Sequence, residues 1–362
     1  MNDQMQIGSL FVTGLSGSSL SKQEAEQLSL LRPSGIILFK HNIDTSSACW
    51  QDSLVSLLAD AKSAISRDDL LISIDHEGGR VHRFPDPVTR FPAAAAWGDY
   101  AEDATRAMAQ ELRSLGFNLS FAPVLDVLSE PTNKVIGDRA FSSDPQSVAS
   151  AGAVVISTLH SEGVVACGKH FPGHGATFAD SHEELPVLDV SKRQLEEREL
   201  IPFKSSIDAG LRLMMSAHVL YPQLDKVSPA TFSSSIIEGL LRKDLRFPYT
   251  VISDDLEMLG AAGVSLEQRG VQALNAGVDL LLAGNPKDRK PVEHAISMAN
   301  GITAAIKTGA LPAAKVDEAL NRVSALRKFA AELDVSAEDP REHAAILGCE
   351  KHRALCEQIK QA

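Results

Sequence analysis

The sequence predicts a single-domain α/β protein that folds as a (β/α)8 TIM-type barrel with additional C-terminal helices. Eight short runs rich in Val, Ile, Leu and Phe are separated by helix-length amphipathic stretches, which is the pattern of βα units around a parallel sheet. Eight such units in about 300 residues match the barrel in number and size. A doubly wound sheet would usually carry a Gly-rich phosphate loop after an early strand, and no G-x-G-x-x-G occurs in this sequence.

The eight predicted strands follow one another between residues 10 and 284. Each is a short and almost continuously apolar run, as expected of strands that are buried on both faces. They are "LFVTG" from Leu10, "GIILF" from Gly35, "LLISID" from Leu70, "NLSFAPVLDV" from Asn118, "VVACGKH" from Val164, "LMMSAHV" from Leu213, "YTVISD" from Tyr249 and "VDLLLAG" from Val278.

Several helical stretches between the strands share one stop signal. Each of four ends in a glycine that leads straight into the next strand, and such a glycine can take the left-handed conformation that terminates a helix. These glycines are Gly116, Gly163, Gly210 and Gly277. Two further helical patterns, 291–307 and 313–332, follow the eighth strand and are expected to complete the outer ring of helices. We therefore place the barrel domain at 1–334 and a loosely packed helical tail at 335–362.

Composition and charge exclude several classes of function. The formal net charge of −12 and the lack of a Lys/Arg block leave nothing suited to a nucleic-acid backbone. No window approaches about 18 uninterrupted apolar residues, and the N-terminus lacks the regions of a signal peptide. The four cysteines form no C-x-x-C pair, which fits a reducing compartment. We expect a cytoplasmic monomer or weak dimer without a nucleic-acid or membrane partner.

Polar, titratable residues end five of the eight predicted strands. They are Asp75, Asp126, His170, His218 and Asp254. In a barrel, the catalytic groups lie at the C-terminal ends of the strands and in the loops that follow them. A single Asp or His at a strand end is a helix cap or a core residue about as often as it is a functional residue. Five on one predicted face indicate a functional site.

Two of the loops after these strands add guanidinium groups. "DHEGGRVHRF" carries Arg80 and Arg83 on a Gly-Gly turn, and "VIGDRAF" carries Asp138 and Arg139. Sugars offer hydrogen-bond donors and acceptors on every edge, so a carboxylate and a guanidinium beside bare backbone can hold a hydroxyl-rich ligand. For either loop alone, an ion pair that pins the turn or lies on the surface is an open alternative.

The segment "VISDDLEM" places two adjacent carboxylates at the end of the seventh strand. Neighbouring residues on an extended chain point in opposite directions, so only one of the two is expected to face the barrel mouth. We expect this to be Asp254, as a nucleophile of the kind that retaining glycosidases use, with Asp255 bracing the loop.

The segment "GKHFPGHGATFADSHEELP" offers the proton donor that such chemistry needs. Asp180 and His182 lie two residues apart, close enough for the carboxylate to set the tautomer of the imidazole and raise its basicity. A histidine with a pKa of roughly 6.5 suits acid and base roles near neutral pH. The stretch between Gly173 and Asp180 contains Gly175 and no strong helix or strand former, so we expect this loop to be mobile.

Together, "DHEGGRV", "VIGDRAF", "KHFPGHG" with "DSH", and "VISDDLEM" resemble the family 3 glycoside hydrolases. Within that family, they resemble the single-domain bacterial β-N-acetylglucosaminidases of peptidoglycan recycling. The motifs occur in the family's order over about residues 10–328, whereas related β-glucosidases lack the D-S-H triplet. The first motif more often reads D-Q-E-G-G-R in the family. His76, in place of the glutamine, is expected to point away from Asp75.

The resemblance implies a role for each matching residue. Asp254 would be the catalytic nucleophile, and His182 would be the acid/base with Asp180 as its partner. The N-acetylglucosamine ring would be bound by Asp75, Arg83, Arg139, Lys169 and His170. No metal ion and no organic cofactor are implied.

The resemblance also implies the reaction and the substrate. The reaction would be retaining hydrolysis that releases terminal β-linked N-acetylglucosamine. The only partner implied is a small sugar substrate, N-acetylglucosaminyl-β-1,4-anhydro-N-acetylmuramic acid with or without its peptide, in the cytoplasm.

Three alternatives stay open. A phosphorylase would use phosphate in place of water, and a neutral histidine repels phosphate less than an anionic acid/base does. A metal-dependent hydrolase could draw on His170 and His174, although the proline and glycines around them argue against a shared helical face. A sugar-binding barrel without catalysis would not need Asp254 or the pair of Asp180 and His182.

Overall fold

The computed structural model describes residues 3–45, 49–177, 185–261, 263–284, 287–333 and 345–362. Eight parallel strands form its centre, which confirms the predicted (β/α)8 barrel. The strands are β1 (Phe11–Thr13), β2 (Gly35–Leu38), β3 (Leu71–Ile74), β4 (Leu119–Ser120), β5 (Val165–Phe171), β6 (Leu213–Ser216), β7 (Thr250–Ile252) and β8 (Leu281–Ala283). Seven lie inside the predicted runs, and β5 extends one residue further.

Pairing between the two end strands closes the sheet into a barrel. The strand order is β7-β6-β5-β4-β3-β2-β1-β8, and neighbouring strands are parallel. A parallel bridge between Ile252 and Leu280 joins β7 to the start of β8. A closed barrel has no edge of unpaired backbone groups. The C-terminal ends of all eight strands therefore surround one opening.

The strand side chains alternate between two hydrophobic clusters. In β2, Ile36 and Leu38 belong to the cluster shared with the surrounding helices, whereas Ile37 belongs to the cluster inside the barrel. The inner cluster also contains Val12, Leu71, Leu119, Val165, Leu213 and Leu280. Since both faces of each strand are buried, the strands read as continuous apolar runs.

Helices surround the barrel. Within the described residues they are α1 (Asp3–Gly8), α2 (Lys22–Leu31), α3 (Trp50–Ile65), α4 (Ala101–Ser114), α5 (Pro145–Ser161), α6 (Lys192–Glu197), α7 (Leu200–Asp208), a π-helix (Ser235–Asp244), α8 (Leu266–Ala276), α9 (Pro291–Thr308), α10 (Ala313–Leu333) and α11 (Glu350–Gln361). The four glycines predicted to end helices all have positive φ, between 80° and 101°, as predicted. No helix in the described ranges has the length and apolar character needed to cross a membrane.

Helix α10 closes the N-terminal end of the barrel. Its side chains Val323, Leu326 and Ala330 join the inner hydrophobic cluster. Its Arg322 Nη1 lies 2.9 Å from Oδ1 of Asp279, just before β8. The expectation that two helices complete the outer ring therefore holds for α9, which packs against α8 and α2, but not for α10.

The C-terminal helix α11 packs on α4. It buries the side chains of His352, Cys356 and Ile359, so the expectation of a loosely packed tail is wrong. Nδ1 of His352 lies 2.9 Å from Oε1 of the buried Glu111. The division into 1–334 and 335–362 stays a prediction.

Candidate active site

A cavity of about 440 Å³ opens at the C-terminal ends of the strands. Its volume falls within the range of roughly 300–1,000 Å³ that is usual for small-molecule sites. Six of the predicted site residues line it: Asp75, Arg83, Arg139, Lys169, His170 and Asp254. The face that the strand-end residues indicated is therefore the face that carries the cavity.

Asp75, directly after β3, lies between two cations. Its Oδ1 accepts from Nζ of Lys169 at 2.8 Å, and its Oδ2 lies 3.5 Å from Nη2 of Arg83. Burial alone raises the pKa of Asp75, but the ammonium of Lys169 and the guanidinium of Arg83 hold that pKa below its usual range. The carboxylate is therefore charged and fixed in place.

Glu77 is a site residue that the sequence reasoning missed. Its carboxylate accepts two hydrogen bonds from Arg139, from Nε at 2.7 Å and from Nη2 at 2.9 Å. Its Oε1 also lies 2.6 Å from Nζ of Lys169. Burial opposes ionisation, but the two cations hold the pKa of Glu77 well below its usual range. We refer to Asp75, Glu77, Arg83, Arg139 and Lys169 as the charged cluster.

The charged cluster keeps its lysine ionised although that side chain is buried. Burial alone lowers the pKa of Lys169, and the carboxylates of Asp75 and Glu77 raise it above its usual value. The only signal for Glu77 in the sequence is the "EGGR" motif itself. Its partners lie on the loop after β4 and on β5, so sequence spacing gives no indication of them.

The Gly78–Gly79 turn lets the chain reverse directly after Glu77. The two glycines have φ of 86° and 54°, in the left-handed region that favours glycine. Val81 N–H donates to the carbonyl of Gly78, and Glu77 N–H donates to the carbonyl of Val81, both at 3.0 Å. The turn therefore brings Glu77 and Arg83 to the same cavity.

The two arginine-bearing loops are joined to each other. Nη2 of Arg80 donates to the carbonyls of Val135 and Ile136, and its Nε lies 3.5 Å from Oδ1 of Asp138. Arg139 pairs with Glu77 instead. The pair of Asp75 with Arg83 lies within the first loop, as the turn-pinning alternative expected. The alternative of a surface pair of Asp138 with Arg139 is replaced by pairing between the loops.

Asp126 holds the histidines at the other side of the cavity. Its Oδ2 lies 2.7 Å from Nδ1 of His170, and its Oδ1 accepts from the backbone N–H of His174 at 2.7 Å. Burial opposes ionisation, but the interactions with His170 lower the pKa of Asp126. The carboxylate therefore favours a proton on Nδ1 of His170. Asp126 does not line the cavity itself but orients a residue that does.

His174 is a loop brace, as predicted. Its Nδ1 lies 2.8 Å from Oγ1 of Thr177, and Asn133 donates to its carbonyl at 2.8 Å. Burial lowers the pKa of His174 to about 4, so its ring is neutral near pH 7. The rings of His170 and His174 lie 5.9 Å apart, although the two residues are not on a helix.

The two adjacent carboxylates after β7 both line the cavity, so the expectation that only one would do so is wrong. Asp254 accepts a hydrogen bond on Oδ1 from the backbone N–H of Asp255 at 2.8 Å. Oδ1 of Asp255 accepts from the N–H of Gly284 at 3.0 Å and of Glu257 at 3.1 Å, as expected for a brace. Burial raises the pKa of Asp255 to about 7.

Two predicted residues, Asp180 and His182, lie outside the described residues, as do all residues from 178 to 184 in the loop expected to be mobile. The acid/base pair therefore stays a prediction from sequence. The remaining strand-end residue, His218, is buried, and its Nε2 lies 3.1 Å from the carbonyl of Asp255. It thus contacts the loop that carries the two carboxylates.

His76 points away from Asp75, as predicted. It lines a second, small cavity of about 30 Å³ between the barrel and α4, and its ring packs on His82 and Phe84. Burial lowers the pKa of His76 to about 3. No group of three or more His, Cys, Asp or Glu in the described ranges is arranged to hold a metal ion.

Chemically, the cavity combines a carboxylate at a strand end with cations held by buried ion pairs. Such cations and carboxylates can hydrogen-bond a hydroxyl-rich ring without reorganising when it binds. A strand-end carboxylate such as Asp254 can act as a nucleophile toward a bound electrophilic carbon.

A family model agrees with this arrangement. The model described as the glycosyl hydrolase family 3 N terminal domain matches residues 4–326. A β-hexosaminidase of Thiobacillus denitrificans is 36% identical over 367 residues, which cover 94% of this chain and 99% of that protein. A β-hexosaminidase of Methylococcus capsulatus is 41% identical over 283 residues, covering 75% of this chain and 81% of that protein.

Solved structures are similar over nearly the whole chain. A family 3 β-N-acetylglucosaminidase from Paenibacillus sp. FPU-7 superposes with a TM-score of 0.91 at 33% identity, covering 100% of this chain and 68% of that one. NagZ from Neisseria gonorrhoeae, in complex with N-trifluoroacetyl-D-glucosamine, superposes with a TM-score of 0.78 at 30% identity, covering 98% of this chain and 97% of that one.

Proposed function

We propose that this chain, which belongs to glycosyl hydrolase family 3 and is a β-N-acetylhexosaminidase, hydrolyses muropeptides by a retaining mechanism. The enzyme would remove terminal β-linked N-acetylglucosamine from N-acetylglucosaminyl-anhydro-N-acetylmuramic acid with or without its peptide. The observation that carries the proposal is that Asp254, His170 and the five residues of the charged cluster line one cavity.

Asp254 is the proposed nucleophile. One of its carboxylate oxygens attacks the anomeric carbon while the glycosidic C–O bond breaks, which leaves a glycosyl-enzyme ester and a free aglycone hydroxyl. Water then attacks the same carbon, and the ester bond to Asp254 breaks. Two displacements at one carbon return the sugar with its original β configuration.

The charged cluster and His170 are the proposed sugar-binding residues. Because the ion pairs among Asp75, Glu77 and Lys169 exist before substrate arrives, these groups need little reorganisation to hydrogen-bond the sugar hydroxyls. Arg83 and Arg139 add guanidinium donors from two further positions on the cavity.

His182 is the proposed acid/base, with Asp180 as its partner. It would protonate the leaving oxygen in the first displacement and take a proton from water in the second. This part of the proposal rests on the sequence motif.

The proposal extends to the setting in which the enzyme works. It acts in the cytoplasm as a monomer or weak dimer, on products of cell-wall breakdown. NagZ of Neisseria gonorrhoeae, bound to an N-acylated glucosamine, supports the choice of sugar. The aglycone is inferred from the motif resemblance.

Hydrolysis of p-nitrophenyl N-acetyl-β-glucosaminide by wild type, Asp254→Ala and Asp254→Asn tests the nucleophile. We expect turnover only in wild type, unchanged by excess EDTA, with the β anomer released first. A wild type that binds the sugar without cleaving it would favour the non-catalytic alternative, and loss of activity in EDTA would favour a metal-dependent hydrolase.

Product analysis in phosphate buffer tests the second acceptor. Free N-acetylglucosamine is expected at every phosphate concentration. Formation of the sugar 1-phosphate would show that the reaction is phosphorolysis and not hydrolysis.

Comparison of two disaccharides tests the aglycone. A higher kcat/KM for the anhydromuramic disaccharide than for N,N′-diacetylchitobiose is the expected sign of muropeptide preference, and the reverse order would contradict it.

A further inference from the structure

Glu111 on α4 connects the C-terminal segment to a loop near the cavity. Its carboxyl group is buried, with 1% of the residue exposed. Thr89 donates to it from its backbone N–H at 2.9 Å and from its hydroxyl at 2.7 Å. From the other side, Gly348 N–H and His352 Nδ1 each lie 2.9 Å from Oε1. One buried group therefore holds two segments that are far apart in the chain.

The C-terminal segment also touches that loop directly. Sγ of Cys356 donates to the carbonyl of Arg90 at 3.1 Å. Gly348 has φ of 57°, and a Cβ at this position would lie 1.8 Å from the carbonyl oxygen of Pro87. We refer to residues 348–356 as the C-terminal clasp.

The loop held by the clasp supports the turn that carries two cavity residues. Gly79 N–H donates to the carbonyl of Phe91 at 2.9 Å. This glycine lies between Glu77 and Arg83, both of which line the cavity. Contacts therefore run from the clasp through residues 87–92 to the charged cluster.

We propose that the C-terminal clasp is a positioning element for sugar binding. It fixes residues 87–92, and these fix the turn that places Glu77 and Arg83. The inference rests on the proposed sugar-binding role of the charged cluster. It assigns a function to residues beyond 326, where the match to the family model ends. His352 acts through Glu111 and does not touch substrate.

Substitution of His352 tests the proposal in the full-length enzyme. His352→Ala removes one donor to Glu111, and Arg353→Ala alters an exposed neighbour on the same helix as a control. Hydrolysis of p-nitrophenyl N-acetyl-β-glucosaminide is measured at a temperature where circular dichroism shows each variant folded. We expect His352→Ala to raise KM about fivefold with kcat within about twofold of wild type. Arg353→Ala should keep both constants.

Two further variants show whether the effect passes through the proposed contacts. His352→Asn places an amide nitrogen where Nδ1 was, so it should restore most of the wild-type KM. Thr89→Val removes the hydroxyl donor from the loop side. If both residues act through Glu111, the double variant with His352→Ala raises KM by less than the product of the single effects.

An unchanged KM in His352→Ala would overturn the proposal. So would a variant in which KM is unchanged and kcat falls only in proportion to the fraction of enzyme that is folded. Multiplicative effects of Thr89→Val and His352→Ala would also contradict it. Arg83→Ala, measured alongside, distinguishes this failure from failure of the proposed function. If Arg83→Ala keeps the wild-type KM, the assigned sugar-binding role is wrong. If it raises KM and His352→Ala does not, only the positioning role is wrong.

Discussion

Replacement of Glu77 by glutamine removes the negative charge that Arg139 and Lys169 share. The side chain is buried, and glutamine has nearly the same shape, so the change leaves two cations with one carboxylate fewer. Removing one partner from a buried ion pair costs roughly 3–5 kcal/mol of the free energy of unfolding. We take about 3 kcal/mol, because the glutamine oxygen still accepts a hydrogen bond.

This loss corresponds to a measurable shift in the melting temperature. An unfolding entropy of about 2.1 cal/mol/K per residue gives about 0.76 kcal/mol/K for 362 residues, so about 3 kcal/mol lowers Tm by about 4 °C. We also expect kcat/KM to fall by about 100-fold, because Arg139 and Lys169 lose their fixed positions on the cavity.

The effect of Glu77→Gln should depend on pH. The folded pKa of Glu77 is depressed, so its stabilising contribution is complete above its usual pKa of 4.5 and is lost as pH falls toward the folded value. Each pH unit below 4.5 removes roughly 1.4 kcal/mol, so the difference in Tm should shrink to about 2 °C at about pH 3.5.

Differential scanning calorimetry of wild type, Glu77→Gln and the control Glu26→Gln at pH 7 and at about pH 3.5 tests this reasoning. Glu26 is exposed and pairs only with Lys22 at 3.9 Å among the ion pairs described, so its Tm should hardly change. A Glu77→Gln variant as stable as the control at pH 7, or a Tm difference that grows toward low pH, would refute the assigned ion pairing.

Three further results are expected. Asp126→Asn should lower kcat/KM about 10- to 100-fold, because a charge-assisted hydrogen bond to His170 of roughly 1.5–3 kcal/mol is lost, and wild-type kinetics would contradict this. The folded pKa of Asp255 is raised, so its stabilising contribution is present below 3.8 and is lost as pH rises through about 7. The stability of wild type relative to Asp255→Asn should therefore fall between pH 4 and 7.5 in denaturant titrations, and parallel curves would contradict this. His76→Gln should keep the wild-type KM, because His76 faces the second cavity, and a raised KM would show that it reaches the sugar.

The barrel could be predicted from sequence because its signals are local. A strand buried on both faces reads as a short apolar run, and a helix that must stop shows a glycine such as Gly277, which has φ of 101°. The position of α10 could not be predicted. Val323, Leu326 and Ala330 have the same helical spacing whether they face a neighbouring helix or the end of the barrel.

The candidate site was predictable where a residue lies just after the C-terminal end of a strand. Asp75 and Asp254 end strands, so the barrel geometry brings them to one cavity. Glu77 was missed because its role depends on Arg139 and Lys169, which lie on another loop and on β5. The clasp was missed because His352 and Glu111 meet only in the folded chain. Long-range ion pairs leave no periodic pattern in a sequence.

The central claim is that Asp254 forms a covalent bond to the sugar. Incubation of the enzyme with a fluorinated N-acetylglucosaminide that slows the second displacement should trap the glycosyl-enzyme. Mass spectrometry of peptic peptides should then find one added sugar on the peptide that contains "VISDDLEM", localised to Asp254 and absent from Asp254→Ala. A label on Asp255 or any other residue, or turnover with inversion and no trapped sugar, would contradict the account.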